Sequence, residues 1–392
     1  ISDQEVKISL LIIRNKIWLQ TVLLLFSLLI LTSLSFSLAG GYTSHQQTSL
    51  NGAYHSYAEL ESELKKLVLS YPSIARLSIL GQSLENRNIY ALKISDHPDR
   101  REDEPGLALL GCHHAREWIS VEVPLQMAIY LLKNYAQDER IKAIVDSSEI
   151  WLVPLINPDG LDYSILNYRL WRKNRRLNSD GSFGVDLNRN YSFAWGVDDS
   201  GSSPHPASET YRGSQPFSEP ETQAIRDLFL QVNFSAAISY HSFSQSILYP
   251  WSYADLPADK EPLFQQLAAD MAQLISQVNG RIYYTGRAAT SLYLTNGDFI
   301  DWVYALFDIP AFTIELPPVD LQEGGFFNSE QDIKSLSAEN LPAVLYLLEW
   351  TISTYANQGE RLKPEAKNRL EKRVKNGLKN KRMRLAGRER RD

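Results

Sequence analysis

Short buried strands alternating with amphipathic helices predict an α/β protein, one globular domain built on a mixed, mostly parallel sheet flanked by helices. Apolar runs recur with turn residues at their ends, helical spacing fills the intervals between them, and no internal repeat interrupts the pattern. The first element, Tyr57–Tyr71, sets Leu60, Leu64, Leu67 and Val68 on one helical face. Strands follow at Ala75–Leu80 and Ile89–Ile94, split by the turn-like Leu84-Glu85-Asn86-Arg87, and then at Leu107–Leu110. A helix runs through Val121–Tyr135. The next strand, Trp151–Leu155, stops at a turn predicted for Asn157-Pro158-Asp159-Gly160. Ala236–Tyr240, Ile247–Tyr249 and Ala311–Leu316 read as buried strands, with helices at Glu219–Val232, Leu263–Val278 and Ala338–Tyr355. In such a sheet the functional residues are expected on loops at strand ends.

The two ends of the chain differ from this body. Arg14 and Lys16 precede the 23-residue apolar run Ile17–Ala39, which closes on Ser37-Leu38-Ala39, small residues of the kind a signal peptidase needs. Residues 1–39 are expected to be a signal peptide, or an uncleaved anchor, since the run is long enough to span a bilayer. Either one exports the body, to the periplasm or the medium. Residues 40–53 read as a linker, 54–356 as the globular domain and 357–392 as a basic tail. From Glu360 onward 14 Lys/Arg face 5 Asp/Glu, a balance of +9. The whole chain carries −6, so the remainder carries −15. An acidic body does not suggest a nucleic-acid binder, and none is expected as a partner. The tail is a solvated appendage or a contact to an anionic surface, and a membrane enters only through it or the leader. Cys112 is the only cysteine, so no intrachain disulfide forms and a large core must supply stability to what is expected to be a monomer. It reads as a small buried residue at a strand end, the alternative being a thiol beside a metal.

His114-Ala115-Arg116-Glu117 is an H-x-x-E directly after a strand. Two ligands three apart reach one ion if the chain turns sharply, and a third must come from elsewhere. His241, directly after Ala236–Tyr240, is the candidate, with His113 as a competitor to His114. Two histidines, one carboxylate and an open position make a catalytic zinc site. Phe312-Thr313-Ile314-Glu315-Leu316 puts a carboxylate inside an apolar strand, which is costly without a partner. Trp171-Arg172-Lys173 offers the five donors of Arg172 to a developing oxyanion.

Gly111 to Trp118, G-C-H-H-A-R-E-W, resembles the zinc motif of the carboxypeptidase A/B family, and the separation of His114 and His241 fits that family. The similarity runs from about Tyr54 to Tyr355, with five motifs in order. It implies a carboxypeptidase-like fold, one zinc ion on His114, Glu117 and His241, and peptide or protein C-termini as substrate. The implied reaction is hydrolysis of the C-terminal peptide bond by a zinc-activated water, with no covalent acyl-enzyme. Glu315 is then the general base and later proton donor, and Arg172 the oxyanion donor. Asn188 and Arg189, in Gly184-Val185-Asp186-Leu187-Asn188-Arg189-Asn190, would grip the terminal carboxylate, a bidentate task suited to arginine. Tyr293 resembles the mobile tyrosine that closes over the bound end. Arg116 would contact substrate further out, and Asp186 would orient the imidazole of His114.

Counting along the motifs places Leu248, Ser252, Ala288, Thr295, Asp298, Ile300 and Thr313 around the departing side chain. Ile300 stands where basic-specific members carry Asp and favours apolar residues. Asp298, with Ala288 and Thr295, is similar to bacterial carboxypeptidase T, which implies broad specificity: apolar and aromatic residues plus Lys and Arg. Ser95, Asp96, Glu102, Glu104 and Glu149 match that enzyme's calcium site. The dozen or so residues between leader and Tyr54 leave no room for the pro-domain of pancreatic-type members. Two other readings compete. One is a zinc amidase of cell-wall peptides on the same scaffold, against which Asn188, Arg189 and Tyr293 speak. The other is a non-catalytic peptide-binding protein, against which the intact His114, Glu117, His241 and Glu315 speak.

Overall fold

The computed structural model describes residues 52–358. The leader expected over 1–39, nearly all of the linker and nearly all of the basic tail lie outside them. Helix α1 (Tyr57–Ser70) opens with a capping box, Ser56 and Glu59 each accepting from the other's backbone N–H, and buries Leu60, Leu64 and Leu67. Strands β1 (Ala75–Gln82) and β2 (Asn88–Ile94) form an antiparallel hairpin. Next come β3 (Gly106–Gly111), α2 (Ile119–Asn134), α3 (Glu139–Val145), β4 (Glu149–Val153) and α4 (Pro158–Leu166). The second half supplies α5 (Pro220–Gln231), β5 (Phe234–Ser242), β6 (Ser246–Tyr249), α6 (Glu261–Asn279) and β7 (Tyr284–Arg287). It ends with α7 (Ala288–Ser291), α8 (Phe299–Phe307), β8 (Ala311–Leu316) and α9 (Glu330–Gln358). Among the described residues no helix is long and apolar enough to cross a membrane.

The eight strands form one sheet in the order β1-β2-β4-β3-β5-β8-β6-β7. The central run β4-β3-β5-β8 is parallel, as is β6 with β7, while β1–β2, β2–β4 and β8–β6 are antiparallel. The sheet is thus mixed and mostly parallel, as the sequence predicts. Because side chains alternate along a strand, each central strand feeds two cores. Leu107 and Leu109 of β3 join the core under α2, α6 and α9, whereas Ala108 and Leu110 join the core under α5 and α8. In β5, Ala236, Ile238 and Tyr240 take the first side and Ala237 the second. Ser239 and His241 therefore share the face of Ala237, and Thr313 and Glu315 of β8 share the face of Ala311.

Helices α3 and α7 and strand β7 have no counterpart in the sequence reading, and three further elements differ from it. Asn157-Pro158-Asp159-Gly160 does not merely end a strand: it opens α4, with Asn157 Oδ1 accepting from Gly160 N at 3.0 Å and Pro158 at the first helical position. Helix α8 (FIDWVYALF) has no polar stripe because it is buried, with Asp298 as its N-cap. Helix α9 starts at Glu330 rather than Ala338.

One buried acid sets a pH dependence of stability. Glu221, in the first turn of α5, is fully buried, with Oε1 unpartnered and Oε2 accepting from Asn174 Nδ2 at 3.3 Å. Burial, and then neighbouring Glu219, push its carboxyl from an ordinary 4.5 up to about 8. The folded chain therefore keeps a proton that the unfolded chain releases, and stability falls as pH rises between those values. Glu221→Gln removes that loss. Its melting temperature relative to wild type is expected to climb by on the order of 4 °C between pH 5 and pH 8, and a pH-independent difference would refute the assignment.

Candidate active site

The carboxyl ends of β3, β5 and β8 meet at one edge of the sheet, where ligands of open α/β sheets bind. The parallel register pairs His241 with Glu315, so both reach the edge side by side. Strand β3 stops at Gly111, where only glycine fits: a Cβ would lie 2.1 Å from Ser120 O and 2.8 Å from Pro154 O. Cys112 then takes a left-handed φ of 55°, and Glu117 N donates to His114 O at 3.2 Å, giving the sharp turn that H-x-x-E requires. Ala115 N to Arg172 O (2.9 Å) and Asn157 Nδ2 to His113 O (3.1 Å) pin this turn to the strand ends behind it.

His114, Glu117 and His241 converge with their ligating atoms within 4.8 Å of one another, all buried. His114 Nδ1 is 2.8 Å from Glu117 Oε1, His241 Nδ1 is 3.0 Å from Glu117 Oε2, and the two Nδ1 atoms are 3.2 Å apart. On the far side of each ring, His114 Nε2 faces Asp186 Oδ1 at 3.1 Å and His241 Nε2 faces Ser239 Oγ at 3.0 Å. With protons on the Nε2 atoms, two imidazole lone pairs and a carboxylate point at one spot. That donor set fits a zinc ion with an open fourth position. Burial opposes ionisation of Glu117, but His114 and His241 hold it well below the usual carboxylate range. Burial and then Arg172 lower His114, while Glu117 raises His241 against its burial.

His113 does not compete as a ligand. Its Nε2 is 2.8 Å from Tyr191 Oη and its Nδ1 is 3.1 Å from Ser239 Oγ, and its ring stacks on that of His241. Cys112 is fully buried in the apolar core, its Sγ 3.6 Å from His114 O. Ser239 went unremarked in the sequence, although its place two residues before His241 puts it on the same strand face.

One cleft is lined by His114 and His241 of the trio together with Asn188, Arg189, Leu248, Ala288, Leu292, Tyr293, Thr295, Asp298, Thr313 and Glu315. Leu292 is the lining residue that sequence reasoning missed. Ser252 and Ile300 lie behind this lining, fully buried: Ser252 N donates to Asp301, and Ile300 belongs to the core under α8. Glu315 is 8% exposed. Burial, with Glu117 adding, pushes its carboxyl up to about 8 against the pull of His241, Arg172 and Arg189. Arg172 gives Nε and Nη2 to Asp186 Oδ2 at 3.0 and 2.7 Å, leaving Nη1 for another acceptor. Asp186 thus ties the Arg172 fork to His114, and Arg172 holds it well below the usual range despite burial. Arg189 is anchored on Gly201 O and Asn188 O, with its guanidinium 5.9 Å from the ring of Tyr293, which is 49% exposed. Asp298 caps α8 with Oδ1, accepting from Ile300 N and Asp301 N, while Oδ2 faces Asn188 and Thr295 at 3.4 Å.

Arg116 stacks 4.1 Å over Phe326. Beside it Arg169, absent from the sequence reading, donates to Arg116 O at 2.7 Å and Phe326 O at 2.5 Å while covering Trp118 at 3.7 Å. The calcium expectation finds no support. Glu149 is committed to Lys93 (2.7 Å), Glu102 to His97 and Arg100 (both 2.9 Å), and Asp96 to His97 (3.0 Å). Ser95 Oγ is 3.4 Å from Asp96 Oδ1, and only Glu104 keeps a buried unpartnered oxygen, its carboxyl pushed up to about 7 by burial and these neighbouring acids.

Known proteins share this arrangement. A family model described as zinc carboxypeptidase matches residues 60–343. Carboxypeptidase A1 of Rattus norvegicus is 33% identical over 302 residues, covering 76% of this chain and 70% of its own. Carboxypeptidase B of Astacus astacus is 33% identical over 310 residues, covering 78% and 99%. Bovine thrombin-activatable fibrinolysis inhibitor, solved with a tick carboxypeptidase inhibitor, superposes with a TM-score of 0.70 at 30% identity, over 77% of this chain and 98% of its own. Carboxypeptidase A from Helicoverpa armigera gives 0.71 at 26% identity, over 84% and 81%. With its sheet, its His-Glu-His trio and these relatives in agreement, the chain belongs to the zinc carboxypeptidase family and is a metallocarboxypeptidase, a hydrolase.

Proposed function

We propose that this chain is an exported carboxypeptidase of broad specificity, releasing apolar, aromatic, Lys and Arg residues from peptide C-termini with Glu315 as general base. The observation that carries the reading is one cleft lined by His114 and His241 of the His-Glu-His trio, by Glu315 beside His241 in register, and by the Asn188–Arg189 pair. Zinc held by His114, Glu117 and His241 supplies a Lewis acid and lowers the pKa of water to near 7. Glu315 takes the proton of the attacking water and returns it to the departing amine, which a buried carboxylate poised near neutral pH does well. The Nη1 end of Arg172, immobilised by Asp186, donates to the carbonyl oxygen as that oxygen gains charge. Asn188 and Arg189 fix the terminal carboxylate, so only the last peptide bond reaches the water, and Tyr293 closes over the bound end. Export rests on the apolar run before Ala39.

Specificity rests on Asp298. Its Oδ1 serves the helix cap, and its Oδ2 lies at the cleft among weak 3.4 Å contacts, open to a cationic side chain. The test is hydrolysis of N-blocked dipeptides ending in Phe, Leu, Arg or Glu, with and without a zinc chelator. Chelator-sensitive release of Phe, Leu and Arg but not Glu is expected. Failure on all four with zinc bound would sink the carboxypeptidase reading and favour a cell-wall amidase. Asp298→Asn keeps the cap and removes the charge. It is expected to cut kcat/KM for Arg relative to Leu by about 10- to 100-fold, and an unchanged ratio would remove Asp298 from specificity.

A further inference from the structure

We propose that Ser239 and His113 are positioning residues for the zinc site, forming a buried hydrogen-bonded chain that holds the His241 ring in its metal-binding tautomer and orientation. The inference rests on His241 being a ligand. His114 and His241 are oriented by different means. The outer nitrogen of His114 faces a carboxylate, Asp186, which can only accept a proton. That of His241 faces the hydroxyl of Ser239 at 3.0 Å, and a hydroxyl can accept or donate. If Ser239 donates, Nε2 becomes the acceptor and the proton moves to Nδ1, the atom that must be bare to bind metal. Something has to draw the Ser239 proton away.

His113 is placed to do so. Its Nδ1 lies 3.1 Å from Ser239 Oγ, and its Nε2 lies 2.8 Å from Tyr191 Oη. With zinc on His241 Nδ1 the chain reads one way: His241 Nε2–H donates to Ser239, Ser239 O–H to His113 Nδ1, and His113 Nε2–H to Tyr191. All four residues are buried, so water does not replace a missing partner cheaply. The His113 and His241 rings are stacked, 5.4 Å between centroids and 9° between planes, which keeps the chain's geometry in register with the ligand. Tyr191 in turn packs on Phe299 and Trp302 of α8, so the far end is held by the core.

The experiment measures zinc affinity of the purified enzyme by competition with a chromogenic chelator, beside kcat and KM. Ser239→Ala is expected to weaken zinc binding about 10- to 100-fold, as loss of a ligand-orienting partner does. Ser239→Thr, which keeps the hydroxyl, is expected to restore most of it. His113→Leu is expected to cost about tenfold. Because both act through one chain, the Ser239→Ala/His113→Leu double variant should bind zinc no more than about threefold worse than Ser239→Ala alone. Metal-free melting curves establish that each variant folds. Wild-type zinc affinity in a folded Ser239→Ala, or additive losses in the double variant, would overturn the proposal. Retention of zinc by His241→Ala would overturn the ligand assignment beneath it, a separate and recognisable failure.

Discussion

Glu315→Gln is expected to lower kcat/KM about 10³-fold while zinc content and KM stay near wild type. The size follows from the role: a positioned general base contributes roughly 10²- to 10⁴-fold, and an amide cannot take a proton. The selectivity for kcat follows from the geometry, since Glu315 stands beside His241 in the strand register whereas the terminal carboxylate is assigned to Asn188 and Arg189. Glutamine keeps the shape of the side chain at a site only 8% exposed, and it removes a charge that burial disfavours. The variant therefore melts no lower than wild type. Steady-state kinetics on a blocked dipeptide, with zinc measured on the same sample, decide the matter. A rate within tenfold of wild type would remove Glu315 from the mechanism.

His241→Ala is expected to lose zinc on dialysis and, with it, at least ~10³-fold in rate, since both the Lewis acid and the acidified water depend on the metal. His114 and Glu117 alone leave the ion two protein ligands where a catalytic zinc has three. The measurement is zinc stoichiometry after dialysis, with the initial rate before and after adding zinc back. One zinc per chain and a rate within tenfold of wild type would strike His241 from the ligand set and return His113 to candidacy.

The central strands were legible in the sequence because they are buried on both faces and read as apolar runs, unbroken in Leu107–Leu110 and interrupted only by Thr313 and Glu315 in Ala311–Leu316. Helices with a solvated side were legible too: the stripe of Leu60, Leu64 and Leu67 in α1 is the buried face. Helix α8 was not, because eight of the nine residues of Phe299–Phe307 are apolar or aromatic and no polar face marks it as a helix. Helix α4 was missed because Asn-Pro-Asp-Gly is good turn chemistry and equally good helix-start chemistry. In the site, the motif residues were found through the family resemblance that their motifs carry. Ser239, Arg169 and Leu292 were not, because their parts arise from contacts across long sequence distances: Arg169 bonds Phe326, 157 positions away. Ile300 was placed at the cleft by counting along the chain, but the first turn of α8 carries it into the core.

Arg169 also ties together two parts of the chain that are far apart in sequence. One guanidinium bridges the zinc-binding turn, at Arg116 O, and the segment carrying Phe326 and Phe327, while lying flat on Trp118. Tyr54 adds a second clasp, its hydroxyl donating to Asn328 O and Ser329 O. Two segments far apart in sequence are thereby riveted into one rim. Tyr293 is half exposed, with its hydroxyl making none of these ties. Held in this way, the zinc-binding turn and the 326–329 segment form one unit, and the closing role proposed for Tyr293 requires no movement of either.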